Sequence, residues 1–177
     1  MSRLACLFAC CLLPLATATA LAEETPGDHV DDSLTTARVK MALLDSSLSD
    51  ATDINVETSK GIVQLSGFLN SREGKIAAGK VAAGVQDVKD VSNRITVRTG
   101  KRSVGKTLDD TILASKVKLA LAEEESTDAN RINVEVREGV VELSGFVGSY
   151  ADRNTAVEFV SRLDGVKDVI NSMDVMQ

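Results

Sequence analysis

Apolar positions along this chain switch between a helical and a strand period, and the whole series is then repeated. Leu34, Ala37, Met41, Leu44 and Leu48 are spaced by three and four residues, which is the stripe of an amphipathic helix. Val39 and Leu43 fall on nearly the opposite side, so this helix carries surplus apolar surface. Ile54 and Val56 alternate with polar neighbours, the period of a half-buried strand. Ser59, Lys60 and Gly61 then read as a three-residue hairpin turn, in which the glycine supplies a left-handed conformation. Val63 and Leu65 continue the inward face on a second strand. Gly67 on that face predicts close approach by another element, here a helix crossing the sheet. Ala78, Val81, Ala82 and Val85 return to helical spacing behind a cap at Asn70 or Ser71. Residues 91–97 alternate again.

The series recurs at a constant offset of 78 residues. GIVQLSGF at 61–68 becomes GVVELSGF at 139–146, INVE at 54–57 returns at 132–135, and VKDV at 88–91 returns at 166–169. A gapless match of this length means one small unit present twice. In the second copy Ile112, Leu119 and Ala122 keep the first helical stripe, while Leu113, Val117 and Leu121 keep the opposite one. The expected fold class is α+β: two tandem small αββαβ domains, each a three-stranded mixed sheet with two helices on one face. The first domain is expected over residues 31–98, with Asp31, Asp32 and Ser33 capping its first helix. Residues 23–30 read as a flexible leader. Residues 99–105, with Gly100, Ser103 and Gly105, read as a linker, and the second domain spans 106–177.

The N-terminus changes what counts as the folding chain. Arg3, the apolar run over residues 4–15 and the Ala20-Leu21-Ala22 motif form a secretory signal peptide, cleaved after residue 22. The run is too short to span a bilayer, which needs about 20 apolar residues. Leu7, Phe8, Ala9 and Cys10 loosely resemble a lipoprotein box, but Phe8 is bulky for it and Cys10 lies very early. Cys6, Cys10 and Cys11 all leave with the signal peptide, so the mature protein has no disulfide and no cysteine metal site. All 26 acidic and 19 of the 20 basic residues lie beyond residue 22, a formal net charge of −7. Residues 23–106 carry 12 of each sign, so the second copy holds the whole deficit. An acidic chain with one tyrosine and no tryptophan lacks the basic, aromatic surface of a nucleic-acid binder.

Chemistry is sparse. The lone His29 has no second ligand residue near it, and Asp45, Asp50, Asp53 and the glutamates at 123–125 lack the alternation and central glycine of a calcium loop. No catalytic residue, metal site or cofactor is expected, and no small-molecule substrate is evident.

The recurring residues resemble the BON domain of bacterial envelope proteins. Gly61, Val63, Leu65, Ser66, Gly67, Ala78, Val88, Val91, Asn93 and Val97 fit its pattern, as do Gly139, Val141, Leu143, Ser144, Gly145, Ala156, Gly165, Val166, Val169, Asn171 and Val175. Gln86 departs from it, where the second copy has a glycine one residue on in the pattern, at Gly165. The resemblance implies periplasmic residence, association with phospholipid or envelope surfaces, and no enzymatic activity. Two surface features suit such a role. Arg98, Lys101, Arg102 and Lys106 cluster at the end of the first domain and in the linker. The surplus helical stripes carry Val39 and Leu43, or Val117 and Leu121, with Lys40 and Lys118 beside them. Either those stripes contact both the sheet and the second helix, or they form an exposed ridge that docks on a membrane while the linker steers. The alternative partner is an exposed apolar segment of another envelope protein, in a chaperone-like or structural role.

Overall fold

The computed structural model describes residues 26–48, 51–100, 104–124 and 129–176. In the first unit α1 (Pro26–Asp45), β1 (Ile54–Ser59), β2 (Ile62–Leu69), α2 (Arg72–Ala83), β3 (Asp90–Asn93) and β4 (Thr96–Val97) follow one another. The second unit repeats them as α3 (Val104–Glu123), β5 (Ile132–Arg137), β6 (Val140–Val147), α4 (Tyr150–Ser161) and β7 (Asp168–Val175). β2 is central, antiparallel to β1 and parallel to β3 and β4. Ile62 lies opposite Asp90 and Phe68 opposite Thr96, so β3 and β4 keep one register and form a single strand interrupted at Arg94 and Ile95. In the second unit β7 runs unbroken beside β6. Each sheet is thus mixed and three strands wide with both helices on one face, the fold class expected.

The hairpin turn is shorter than its sequence suggests. Ser59 pairs with Ile62 and Arg137 with Val140, leaving two-residue loops, Lys60-Gly61 and Glu138-Gly139. All four residues have positive φ, from 53° to 81°, so each loop twists with its strands as a mirror-image turn does. A carboxylate from the first helix closes each one. Asp32 accepts from the Lys60 and Gly61 amides at 2.7 and 2.8 Å. Asp110 accepts from those of Glu138 and Gly139 at 2.8 and 3.0 Å. Asp32 is therefore not a helix cap. α1 begins at Pro26, where a proline's fixed φ and missing N–H cost nothing, so residues 26–30 of the expected leader are helical. α3 likewise begins at Val104, inside the expected linker. The caps of α2 and α4 are where spacing predicts them: Ser71 accepts from the Gly74 amide, and Ser149 from that of Asp152.

Gly67 and Gly145 do mark a close approach, but not by a helix. A Cβ on Gly67 would lie 2.2 Å from the Asp53 carbonyl oxygen, and one on Gly145 would lie 2.0 Å from that of Arg131. These carbonyls belong to the short 3-10 turns that lead into β1 and β5. The neighbour is thus the start of the adjacent strand.

Two apolar cores result, one per unit. Val39, Leu43, Val56, Val63, Leu65, Ala78, Ala82 and Ile95 fill the first; Val117, Leu121, Val134, Val141, Leu143, Ala156, Val160 and Met173 fill the second. Both lie between a sheet and its helices. The opposite faces of the two sheets meet each other, making four layers with helices outermost. This seam is polar and nearly two-fold symmetric. Asn55 donates to Glu135 at 2.9 Å while Asn133 donates to Glu57 at 3.0 Å, and the Ser66 hydroxyl meets that of Ser144 at 2.8 Å. Gln64 Oε1 accepts from the Gly145 amide at 2.6 Å, and Glu142 Oε2 accepts from the Gly67 amide at 2.8 Å. Arg137, buried at the end of β5, donates to Asn70 of the first unit and to the Gly100 carbonyl.

Two carboxylates make the seam sensitive to pH. Burial pushes the Glu142 carboxyl above the ordinary 4.5, and Glu135 adds repulsion; hydrogen bonds from Ser172, Gly67 and Thr96 offset this only in part. Burial also raises Asp174, but hydrogen bonds from Gln64, Ser92 and Arg94, with the Arg94 charge, outweigh it and bring the group below 3.8. The signs are opposite. A raised carboxyl contributes stability that is complete below its unfolded value and is lost as pH rises through its folded value. A lowered one contributes stability that is lost as pH falls through its folded value. Stability referred to these groups is greatest between the two. Glu142→Gln is expected to abolish the loss on the neutral side while keeping the acid-side loss due to Asp174, read from urea midpoints of both proteins across pH.

A second expectation comes from backbone geometry. Gly145→Ala forces a Cβ into a carbonyl oxygen at a φ of +117°. It should lower the stability of the second unit by about 2 kcal/mol or more, measured by guanidinium unfolding.

Candidate functional site

The first helix of each unit determines what is offered to a partner. Its buried side is Asp32, Thr35, Val39 and Leu43 in α1, and Asp110, Leu113, Val117 and Leu121 in α3. Val39 and Val117 are wholly buried, and Leu43 and Leu121 are 1% exposed. Of the two alternatives for these stripes, packing against the sheet and the second helix is the one observed: these four are core, and the docking ridge assigned to them is corrected. The reason is the turn clamp. Asp32 and Asp110 lie on the same helical side as these residues, and only that side can face the hairpin while each carboxylate holds its two amides.

The stripe that spacing makes the better candidate for the core is the one in solvent. Leu34 is 50%, Met41 65% and Leu44 59% exposed on α1, and Leu108 is 62%, Ile112 50% and Leu119 63% exposed on α3. Three large apolar side chains in line on one helix face are more than the scattered singles of an ordinary surface. Lys40 on α1 and Lys116 and Lys118 on α3 are exposed and, by helical spacing, flank these stripes. On α1 the other flank holds Arg38, which is paired with Asp87.

The basic cluster expected near the linker is partly spent on internal contacts. Arg98 Nη1 donates to the Arg137 carbonyl at 3.3 Å, and Lys106 Nζ is 3.0 Å from Glu138, whose carboxyl that lysine holds below its usual range. Arg94 is paired with Asp174 at 2.5 Å. Lys101 and Arg102 lie outside the described residues.

The two units differ beside their stripes. A groove of about 350 Å³ runs between α3, the β5–β6 turn and the loop after α4, lined by Ile112, Leu113, Lys106, Lys116, Asp164 and Lys167. Its counterpart in the first unit, about 390 Å³, is lined by Asp31, Asp32, Thr35, Lys60, Asp87 and Lys89. Thr35 stands where the second unit has Leu113, so only the second groove continues the apolar stripe. Among the described residues no group of three His, Cys, Asp or Glu side chains is placed to hold a metal. Among them, too, no helix is long and apolar enough to cross a membrane.

The turn clamp, the glycine approach and the αββαβ order occur twice, and the BON domain pattern matches the chain twice, over residues 31–99 and 109–177. The chain belongs to the BON domain family. It is 40% identical over 148 residues to osmotically-inducible protein Y of Escherichia coli (strain K12), covering 83% of this chain and 74% of that one. It is 29% identical to the outer membrane lipoprotein DolP of Haemophilus influenzae, over 88% of this chain and 80% of that one. A 21 kDa hemolysin of Actinobacillus pleuropneumoniae is 30% identical, over 85% and 77% respectively. Within this BON protein the family positions Gly61, Gly67, Gly139 and Gly145 are turn and close-approach glycines, which places them in the scaffold.

The two helix faces can be told apart by stability. Val117→Ser with Leu121→Ser should cost the second unit roughly 4 kcal/mol or more, since each removes buried methyl groups and leaves a cavity. Ile112→Ser with Leu119→Ser should change it by no more than about 1 kcal/mol, as surface substitutions do. Denaturant midpoints followed by circular dichroism decide between them.

Proposed function

We propose that this BON protein is exported by a cleaved signal peptide to the periplasm and binds phospholipid at an envelope surface without catalysing a reaction, in osmotic or envelope stress protection. One observation carries the reading: the exposed stripe of Leu108, Ile112 and Leu119 on α3, with Lys116 and Lys118 on its flanks. Similarity to an osmotically inducible protein and to an outer membrane lipoprotein supports the compartment and the setting.

Magnitudes assign the roles. Full burial of a Leu or Ile side chain is worth about 1.5–3 kcal/mol, so three that are half exposed offer about 3 kcal/mol more. Each lysine close to an anionic surface adds about 1 kcal/mol. The sum, about 5 kcal/mol, corresponds to a dissociation constant of about 0.1–1 mM. Net negative charge opposes approach, but carboxylates farther than about 8 Å from the surface are screened at physiological salt. The apolar stripe holds, and the lysines orient.

The test is flotation of the mature protein with phosphatidylglycerol vesicles and with phosphatidylcholine vesicles. Replacing Leu108, Ile112 and Leu119 by serine should reduce flotation about tenfold or more at every salt concentration. Replacing Lys116 and Lys118 by glutamine should reduce it only at low salt and only on the anionic vesicles. Unchanged flotation in the serine variant removes the stripe as a lipid contact. Suppression of aggregation of an unfolded envelope protein, lost in that same variant, would assign the stripe to the chaperone-like role instead.

A further inference from the structure

The seam between the sheets is symmetric in its backbone and asymmetric in its charges. Positions 64 and 142 are equivalent under the 78-residue offset, as are 92 and 170, 94 and 172, and 96 and 174. Gln64 and Glu142 each reach across to the glycine amide of the other unit. Beyond it, Gln64 Nε2 donates to Asp174 at 2.8 Å, while Glu142 Oε1 accepts from Thr96 at 3.3 Å. One crossing is therefore amide to carboxylate, and its symmetry mate is hydroxyl to carboxylate. Neither sets two carboxylates together.

The surroundings follow the same division. Asp174 accepts from Ser92 at 2.8 Å as well as from Gln64, and it pairs with Arg94. All three donors belong to the first unit. At the equivalent positions the second unit has Ile170, Ser172 and Glu142. Were two second units to meet through this face, each Asp174 would exchange an amide, a hydroxyl and a guanidinium for a carboxylate, a hydrocarbon and a hydroxyl. Both Asp174 side chains would then lie against the Glu142 carboxyl in a seam where Glu142 is 1% exposed. Two carboxyls so placed cannot both ionise without repulsion, which suppresses a wrong partner.

We propose that the open face of the second sheet is a docking surface selective for the open face of a first unit, and that Gln64–Asp174 and Glu142–Thr96 are the pairs that decide this choice. The glycine amides, the serine pair and the Asn–Glu pairs supply attraction common to any combination of units. The four exchanged residues supply the discrimination.

Full-length variants test it through the segment joining the units. Thr96→Asp places a second carboxylate against Glu142 and should part the sheets while each apolar core persists. Proteolysis between residues 98 and 105 should then rise about tenfold or more, and the small-angle scattering radius should increase. Gln64→Glu, set against Asp174, should do the same. In the double variant Thr96→Asp, Glu142→Gln, the amide–carboxylate pair of the other crossing is rebuilt in mirror image. Cleavage and radius should return to near wild type. The proposal is overturned if Thr96→Asp leaves both readouts unchanged, or if the double variant stays as open, or as unfolded, as Thr96→Asp alone. Glu142→Gln by itself should remain closed, since an amide facing Thr96 is neutral; an open form would also overturn it.

Discussion

Each unit depends on one carboxylate that reaches from its first helix to the backbone of its hairpin. Asp32 and Asp110 each satisfy two consecutive turn amides, in loops where both residues have positive φ. A hydrogen bond to a charged acceptor is worth about 1.5–3 kcal/mol, and leaving a buried donor unmade costs a similar amount. Two such bonds outweigh any difference between the two apolar stripes of the helix. Rotating α1 by half a turn would bury Leu34 and Met41 in place of Val39 and Leu43, a nearly even exchange in apolar area, and would lose both bonds. The clamp therefore decides which stripe enters the core and, by exclusion, which one meets the solvent. A lysine completes each turn, Lys89 donating to the Lys60 carbonyl and Lys167 to that of Glu138.

The contact between units follows a different logic. Its hydrogen bonds replace bonds that the separated faces make with water, so each contributes only about 0.5–1.5 kcal/mol net. Apolar burial on these faces is limited to side chains such as Phe68, Phe146 and Val140. What such a surface supplies is alignment: a partner displaced by one residue leaves buried amides and carboxylates unmatched, at about 1–3 kcal/mol apiece. The Gln64 and Glu142 side chains serve double duty here, since they also satisfy the Gly145 and Gly67 amides opposite the carbonyls that exclude any side chain at those glycines.

The fold was legible because it depends on periods. Alternation in residues 54–57 and 132–136, helical spacing around Ala78 and Ala156, and caps at Ser71 and Ser149 all act over a few residues. The faces were not legible for the same reason. Two stripes of comparable apolarity on α1 leave the orientation open, and the deciding Asp32 acts across 28 residues through backbone amides that no side-chain pattern encodes. The repeat did carry a trace of it, since Asp32 recurs as Asp110 and both align with Val39 and Val117 on one side. The seam has no signature in the alternation, because a period of two separates inside from outside without saying whether outside is water. Phe68 and Phe146, aromatic residues on a largely polar face, are the mark of its burial. The shorter turn was concealed by Ser59 and Arg137, polar residues that are the last paired positions of β1 and β5.

Four layers also constrain how the exposed stripes can be used. Because the sheets meet through their open faces, α1 and α3 lie on opposite outer layers, and a flat surface can contact only one of their stripes at a time. Linked sites gain affinity only when geometry allows both to engage together. Under the proposed lipid contact, one closed molecule on one bilayer would have the affinity of a single stripe, with the second stripe left on the far side. Parting the sheets would remove the arrangement that imposes this restriction. The charge pairs of the seam and the apolar stripes of the helices are thus coupled through geometry, although no residue belongs to both: the seam sets how many stripes one surface can receive.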